Sequence, residues 1–256
     1  MPKTVLITGS TSGIGLGIAR VFAREGYNIV FNGLENDGQE IAAEVLQTHR
    51  VQGMFSPANM LYPQEIGEMV REAEHRFGAV DVLICNAGIQ HVAAIEDFPA
   101  EKWEAILGIN LSSAFYLTKA VWPKMKSNGF GRIINIASAH GLSASPFKSA
   151  YVAAKHGLVG LTKVLALEGA PFNINCNAIC PGYVKTPIVE KQIEDQMKVH
   201  HLSEKEVIEK VMLGRQAVKS FIPVETIGTL SLFLASDEAA TITATAIPVD
   251  GGWNAF

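Results

Sequence analysis

Apolar positions along the chain change their spacing repeatedly. Thr4-Val-Leu-Ile-Thr8 is an unbroken apolar run of the kind found in strands buried on both faces. Beyond it the spacing becomes helical through Ile14, Ile18, Val21 and Phe22. The alternation then recurs. Asn28-Ile-Val-Phe-Asn32, Asp81-Val-Leu-Ile-Cys85, Arg132-Ile-Ile-Asn-Ile136 and Ile174-Asn-Cys-Asn-Ala-Ile-Cys180 read as further strands. Ile66, Met69, Val70 and Ala73 form a helical stripe after Pro63, a good first-turn residue. Longer helices are expected over about 101–126, with a bend near Pro123, and from Ser149 to about Glu168. Strand and helix alternate without a low-complexity linker. The pattern therefore predicts one α/β domain over 1–256, with a doubly wound parallel sheet and helices on both faces.

The stretch from about 186 to 220 breaks the alternation, being rich in Glu, Lys and Gln. Ser203-Glu-Lys-Glu206 is a capping-box pattern, so a helix should begin there. His200 and His201 read as exposed polar residues.

Composition narrows the class. The 256 residues are 48% hydrophobic and 18% charged, which suits a soluble domain with a large core. A formal net charge of −4 argues against a nucleic-acid-binding surface. No apolar run is long enough to cross a bilayer, and the first strand begins too early for a signal peptide. A cytoplasmic location is the expectation. The three cysteines Cys85, Cys176 and Cys180 lack metal-type pairing. They read as small buried residues, and no metal site is expected.

Two groups of residues carry chemistry. Thr8-Gly-Ser-Thr-Ser-Gly-Ile-Gly15 joins the first strand to the first helix. That setting suits a dinucleotide pyrophosphate: Gly9 allows the turn, Gly13 the close backbone approach, and Gly15 tight helix–strand packing. Tyr151 and Lys155 lie four residues apart, on one helix face. A free phenol has a pKa of about 10, and a neighbouring cation should lower it. Ser138 lies thirteen residues before Tyr151. A phenol beside a nicotinamide points to alcohol–ketone redox chemistry.

The Thr-Gly-x-x-x-Gly-x-Gly spacing resembles the short-chain dehydrogenase/reductase family. Asn86-Ala-Gly88, Asn110, Ser138, Tyr151, Lys155 and Pro181-Gly182 follow in that family's order, and the likeness extends to Val249-Asp-Gly-Gly252. The resemblance implies a Rossmann-type fold with a small helical lid over substrate at about 186–220. It implies a cofactor held by Gly9, Thr11, Ser12, Gly13, Ile14, Gly15, Leu34, Asn59, Met60, Asn86, Ala87, Gly88, Tyr151, Lys155, Pro181, Gly182, Val184 and Thr186. It also implies that Lys155 binds the nicotinamide ribose, that Asn110 supports a relay water, and that the subunits form a homotetramer.

The cofactor is expected to be NAD. Asn32-Gly-Leu-Glu-Asn36 carries no cation for a 2′-phosphate, and Glu35 would repel one. The Asp common at this strand end is absent; Asn32-Gly33 stands there.

Within the family, three strings are similar to the bacterial D-3-hydroxybutyrate dehydrogenases: Asn86-Ala-Gly-Ile-Gln-His-Val92, Ile136-Ala-Ser-Ala-His-Gly-Leu142 and Lys148-Ser-Ala-Tyr151. That likeness implies that Gln90, His140, Lys148 and Gln192 bind a substrate carboxylate and that Trp253 closes a small pocket. Tyr183 stands where related enzymes often carry Trp. The expected reaction is reversible oxidation of (R)-3-hydroxybutyrate to acetoacetate, with Tyr151 as base and Ser138 positioning the reacting oxygen. Two other readings stay open: a 3-oxoacyl-thioester reductase, and a non-catalytic NAD-sensing scaffold.

Overall fold

The computed structural model describes residues 2–186, 189, 190, 193, 197 and 202–255. Seven strands form one wholly parallel sheet: β1 (Thr4–Ile7), β2 (Asn28–Asn32), β3 (Gly53–Ser56), β4 (Val82–Cys85), β5 (Gly131–Ile136), β6 (Ile174–Pro181) and β7 (Ala246–Val249). Their spatial order is β3-β2-β1-β4-β5-β6-β7. The order reverses between β1 and β4, which opens a crevice beyond the carboxyl ends of the strands. Ligands bind there in open α/β sheets.

The pleat divides the core in two. Leu6, Val30, Leu83 and Ile133 face one way, packing with Ile66 and Met69 of α3 (Pro63–Phe77), Leu117 of α5 (Ser113–Asn128) and Leu158 of α6 (Ser149–Gly169). Val5, Ile7, Phe31 and Ile84 face the other way, against Ile18 and Phe22 of α1 (Gly13–Arg24), Val45 of α2 (Gly38–His49) and Ile227 of α8 (Val224–Ala235). Burying each such side chain contributes about 1.5–3 kcal/mol. The sheet is thereby a rigid platform for the loops at its carboxyl edge.

The predicted strands and the α6 boundaries hold to within a residue or two. The long helix over 101–126 differs. It is α4 (Ala100–Leu107), a wide π turn at Gly108–Ser112, then α5, which runs on through Pro123. The irregularity falls at Asn110 because its side chain is drawn sideways. The Asn110 Oδ1 accepts from the Ile89 N–H and its Nδ2 donates to the Ile89 carbonyl, both at 2.9 Å.

The Ser203 capping box is present: Glu206 N–H donates to the serine hydroxyl, and the Glu206 carboxylate accepts from the Ser203 N–H. It opens a short turn, α7 (Glu204–Glu206), followed by a π turn at Val207–Met212. Val207 and Met212 are buried with Val189 and Ile193, and Tyr183 packs against this small cluster. His200, His201 and the expected carboxylate ligand Gln192 lie outside the described residues. The three cysteines are buried and free. Burial pushes the Cys85 thiol up to about 12.

Candidate active site

Two adjoining cavities open at the carboxyl edge. The larger, of about 400 Å³, runs from the end of β2 to the end of β6. Gly9, Ser12, Gly13, Ile14, Leu34, Asn59, Met60, Asn86, Ala87, Gly88, Lys155, Pro181, Gly182 and Thr186 line it, with Ser138 and Tyr151 at its far end. The smaller, of about 160 Å³, shares Ile14, Gln90, Ser138, Tyr151 and Thr186 with it and adds His140, Lys148, Tyr183, Val184 and Trp253.

The glycine loop is pinned from below. Asn86 Nδ2 donates to the carbonyls of Thr8 and Gly9, at 2.9 and 3.0 Å. The Thr8 hydroxyl accepts from the N–H groups of Asn86 and Ala87. Gly15 packs so closely that a Cβ there would lie 2.1 Å from the Gly9 carbonyl oxygen. Gly15 therefore supports the loop from behind, while Gly13 leaves its open face to the cavity. The cradle fits a dinucleotide pyrophosphate, because α1 begins at Gly13, at the cavity wall, where its first N–H groups have no intrahelical partner.

The strand-end residue Asn32 borders this cleft, but its side-chain amide is held by the main chain. It is buried; its Oδ1 accepts from the Gly9 N–H, and its Nδ2 donates to the carbonyls of Ser56 and Ala58. Glu35 takes the position at the cavity wall. Its carboxylate accepts from the Thr11 hydroxyl at 2.5 Å and the Ser12 hydroxyl at 3.3 Å. Burial works against the charge, yet these hydrogen bonds hold the carboxyl below its usual range. Thr11 thus orients Glu35 and does not line the cavity.

Ser138, Tyr151 and Lys155 converge from β5's end and the first turns of α6. Lys155 is buried, and its Nζ donates to the Ile136 carbonyl at 2.8 Å while standing 5.7 Å from the Tyr151 ring centre. Burial lowers the ammonium to about 8, opposed by the thiols of Cys180 and Cys85. The Tyr151 phenol is raised by burial and by the neighbouring Tyr183, and a hydrogen bond with Ser138 pulls it back. The expected lowering of Tyr151 by Lys155 is thus not the net result: burial outweighs a cation directed at the main chain.

The smaller cavity gathers the other predicted ligands. Lys148 precedes α6, and burial lowers its ammonium. Phe147 beside it has φ +66°, and its carbonyl accepts from the Ala93 N–H. This ties the Gln90 segment to the start of α6. His140 lies on a short 3₁₀ turn, its N–H donating to the Ser138 hydroxyl at 3.1 Å. Its Nε2 is 2.9 Å from the Ser145 hydroxyl, and its ring contacts Tyr151 at 6.1 Å and Trp253 at 5.3 Å between centres. Burial first, then Lys148 and His156, push the imidazole down to about 4. The ring is therefore neutral near pH 7.

Sequence reasoning missed Ser145 and the buried task of Asn32. Neither belongs to a motif; both are defined by contacts across folded segments. Val184, expected at the cofactor, lines the smaller cavity beside Gly182 and Thr186, which line both. Asn110 sits behind the Gln90 segment, holding it through Ile89, and lines neither cavity.

The arrangement places a phenol, a serine hydroxyl and a buried ammonium where a long cleft meets a small polar pocket. Comparisons with known proteins give the family. The short chain dehydrogenase family model matches residues 3–197. A D-beta-hydroxybutyrate dehydrogenase of Rhizobium meliloti is 53% identical over the whole of both chains. One of Cupriavidus necator is 48% identical, covering 98% of this chain and 97% of its own. Among solved structures, an actinorhodin polyketide ketoreductase variant with NADPH superposes with a TM-score of 0.93 at 32% identity, over 100% of this chain and 98% of the other. By its motifs, its fold and these matches, the chain belongs to the short chain dehydrogenase family.

Proposed function

We propose that this chain catalyses the reversible, NAD-dependent oxidation of (R)-3-hydroxybutyrate to acetoacetate. The observation that carries the reading is the content of the small cavity: Ser138 and Tyr151 share about 160 Å³ with Lys148, His140 and Gln90. A small hydroxy acid needs one localised cation and a few donors at its anionic end. Two D-beta-hydroxybutyrate dehydrogenases about half identical over the full length support the same substrate.

In this reading Lys148, His140, Gln90 and Gln192 hold the carboxylate, and Trp253 closes the pocket. Ser138 donates a hydrogen bond to the C3 oxygen. Tyr151 takes the hydroxyl proton as the C3 hydrogen leaves as hydride. A bound nicotinamide supplies the hydride acceptor. Lys155 keeps positive charge beside the developing phenolate and holds the nicotinamide ribose. Asn110 acts at one remove by fixing the Gln90 segment, and supports a relay water. Residues 186–220 serve as the lid.

NAD is preferred because Glu35 is fixed as a carboxylate at the adenosine end, with no cation between Asn32 and Asn36. The protein works in the cytoplasm as a homotetramer, built through the exposed apolar residues Phe115 and Tyr116 on α5 and Val164 and Leu167 on α6.

Absorbance of the reduced nicotinamide tests the reading. With NAD, (R)-3-hydroxybutyrate should far outrun butan-2-ol in kcat/KM, and Lys148→Ala should shrink that advantage by tens to thousands of fold, about 2–5 kcal/mol. Equal rates with the acid and the neutral alcohol would sink it. Turnover confined to a 3-oxoacyl thioester with NADPH would establish the reductase alternative, and no turnover with either would leave the NAD-sensing scaffold.

A further inference from the structure

We propose that Ser145 is a positioning residue: it fixes the tautomer of His140, so that the ring donates a hydrogen bond to the substrate carboxylate. The inference rests on the hydroxy-acid reading of the small cavity and adds to it the residue that makes His140 useful there.

The His140 ring is held from several sides. Its main-chain N–H is bonded to Ser138, and the ring contacts Tyr151 and Trp253. The Arg215 guanidinium lies 4.4 Å from the Trp253 ring centre, so Trp253 is itself packed in place. Among the described residues, Ser145 is the one hydrogen-bond partner of the ring nitrogens, at 2.9 Å from Nε2. The ionisable groups that act on the ring are Lys148 and His156, with the Tyr151 phenol in ring contact. Burial, the Lys148 ammonium and the nearby His156 all disfavour a charged imidazole.

A neutral imidazole has one donor nitrogen and one acceptor nitrogen. A carboxylate only accepts. His140 therefore assists an anion beside Lys148 only if the nitrogen facing it carries the proton. The opposite tautomer would aim a lone pair at the anion. The partner of the far nitrogen decides which form is present. A serine hydroxyl rotates freely and can donate. With Ser145 donating to Nε2, the proton stays on Nδ1, which is left for the carboxylate. Nothing at the level of motif marks Ser145: it lies in the loop between the Ser138 turn and α6, five residues after His140.

Ser145→Ala and Ser145→Thr, made in the full-length protein, test this with two independent readouts. Ser145→Ala should raise KM for (R)-3-hydroxybutyrate about ten- to a hundredfold, while kcat falls far less. The loss should exceed that for butan-2-ol, and Ser145→Thr should restore most of it. Nitrogen-15 NMR of the histidine rings near pH 7 should report the Nδ1–H form of His140 in the parent protein and a tautomer mixture in Ser145→Ala. An Nε2–H form in the parent, an unchanged KM in Ser145→Ala, or equal losses for the acid and the alcohol would overturn the inference. Failure of the parent to oxidise 3-hydroxybutyrate would instead refute the proposed substrate, and the NMR signature would still decide the tautomer.

Discussion

Lys155 points its ammonium at the Ile136 carbonyl, 2.8 Å away, and reaches Tyr151 only across 5.7 Å to the ring centre. The lysine is thus anchored to the end of β5, one helical turn along α6 from Tyr151. Two separable consequences follow for mutants. Tyr151→Phe keeps the ring and its packing but removes the ionisable oxygen. Turnover should fall about 10²–10⁴-fold while NAD affinity, read by fluorescence titration, stays near that of the parent. Lys155→Ala should weaken both turnover and NAD binding, because it also leaves the Ile136 carbonyl without its buried donor. Near-normal turnover in Tyr151→Phe would remove the phenol from its assigned role.

Glu35 provides the cofactor test. The parent should prefer NAD to NADP by at least about tenfold in kcat/KM, about 1.4 kcal/mol. Glu35→Ser removes the fixed negative charge beside Thr11 and Ser12 and should narrow that ratio, chiefly by improving NADP. A ratio unaffected by the substitution would show that discrimination lies elsewhere in the cleft.

Gly15 separates loop geometry from loop chemistry. A Cβ there would fall 2.1 Å from the Gly9 carbonyl oxygen and 2.6 Å from Asn86 Nδ2. Neither neighbour can yield without moving the loop that Asn86 pins. Gly15→Ala should destabilise the fold by about 1–3 kcal/mol in urea denaturation and weaken NAD binding. An alanine variant with the parent's stability and NAD affinity would contradict this account of the packing.

The neutral, buried His140 should make stability depend on acid. Its folded pKa, about 4, lies below the unfolded value of 6.5. Between those values the unfolded chain binds the extra proton, so stability rises with pH across this window. The contribution is complete above pH 6.5 and is lost as pH falls toward 4, at most about 3 kcal/mol from this group. His140→Gln should flatten the slope of unfolding free energy between pH 4 and 6.5. Parallel slopes for parent and variant would mean that the ring titrates normally in the folded state.

Much of this protein is written in short-range patterns. Thr4–Ile7 reads as a strand because a chain buried on both faces must be apolar throughout. The turn to α1 is marked by its glycines, and Tyr151 with Lys155 by one helical turn, so both chemical motifs are local in sequence. The split of the long helix at Gly108–Ser112 is different. It depends on Asn110 bonding Ile89, twenty-one residues away, an interaction without a local signature. The same holds for Asn32, whose side chain is spent on Gly9, Ser56 and Ala58. It holds again for Trp253, which meets the His140 ring from the far end of the chain. The sign of the Tyr151 shift also belongs to the tertiary structure. Residue spacing tells which charges are near a phenol, whereas burial by the surrounding chain sets how much each one counts. Sequence alone marked five of the seven strands and the two chemical motifs, because backbone periodicity and motif spacing are short-range properties. The folded structure decided which polar groups meet, how dry they are, and hence their protonation, because those depend on segments brought together only by packing of the core.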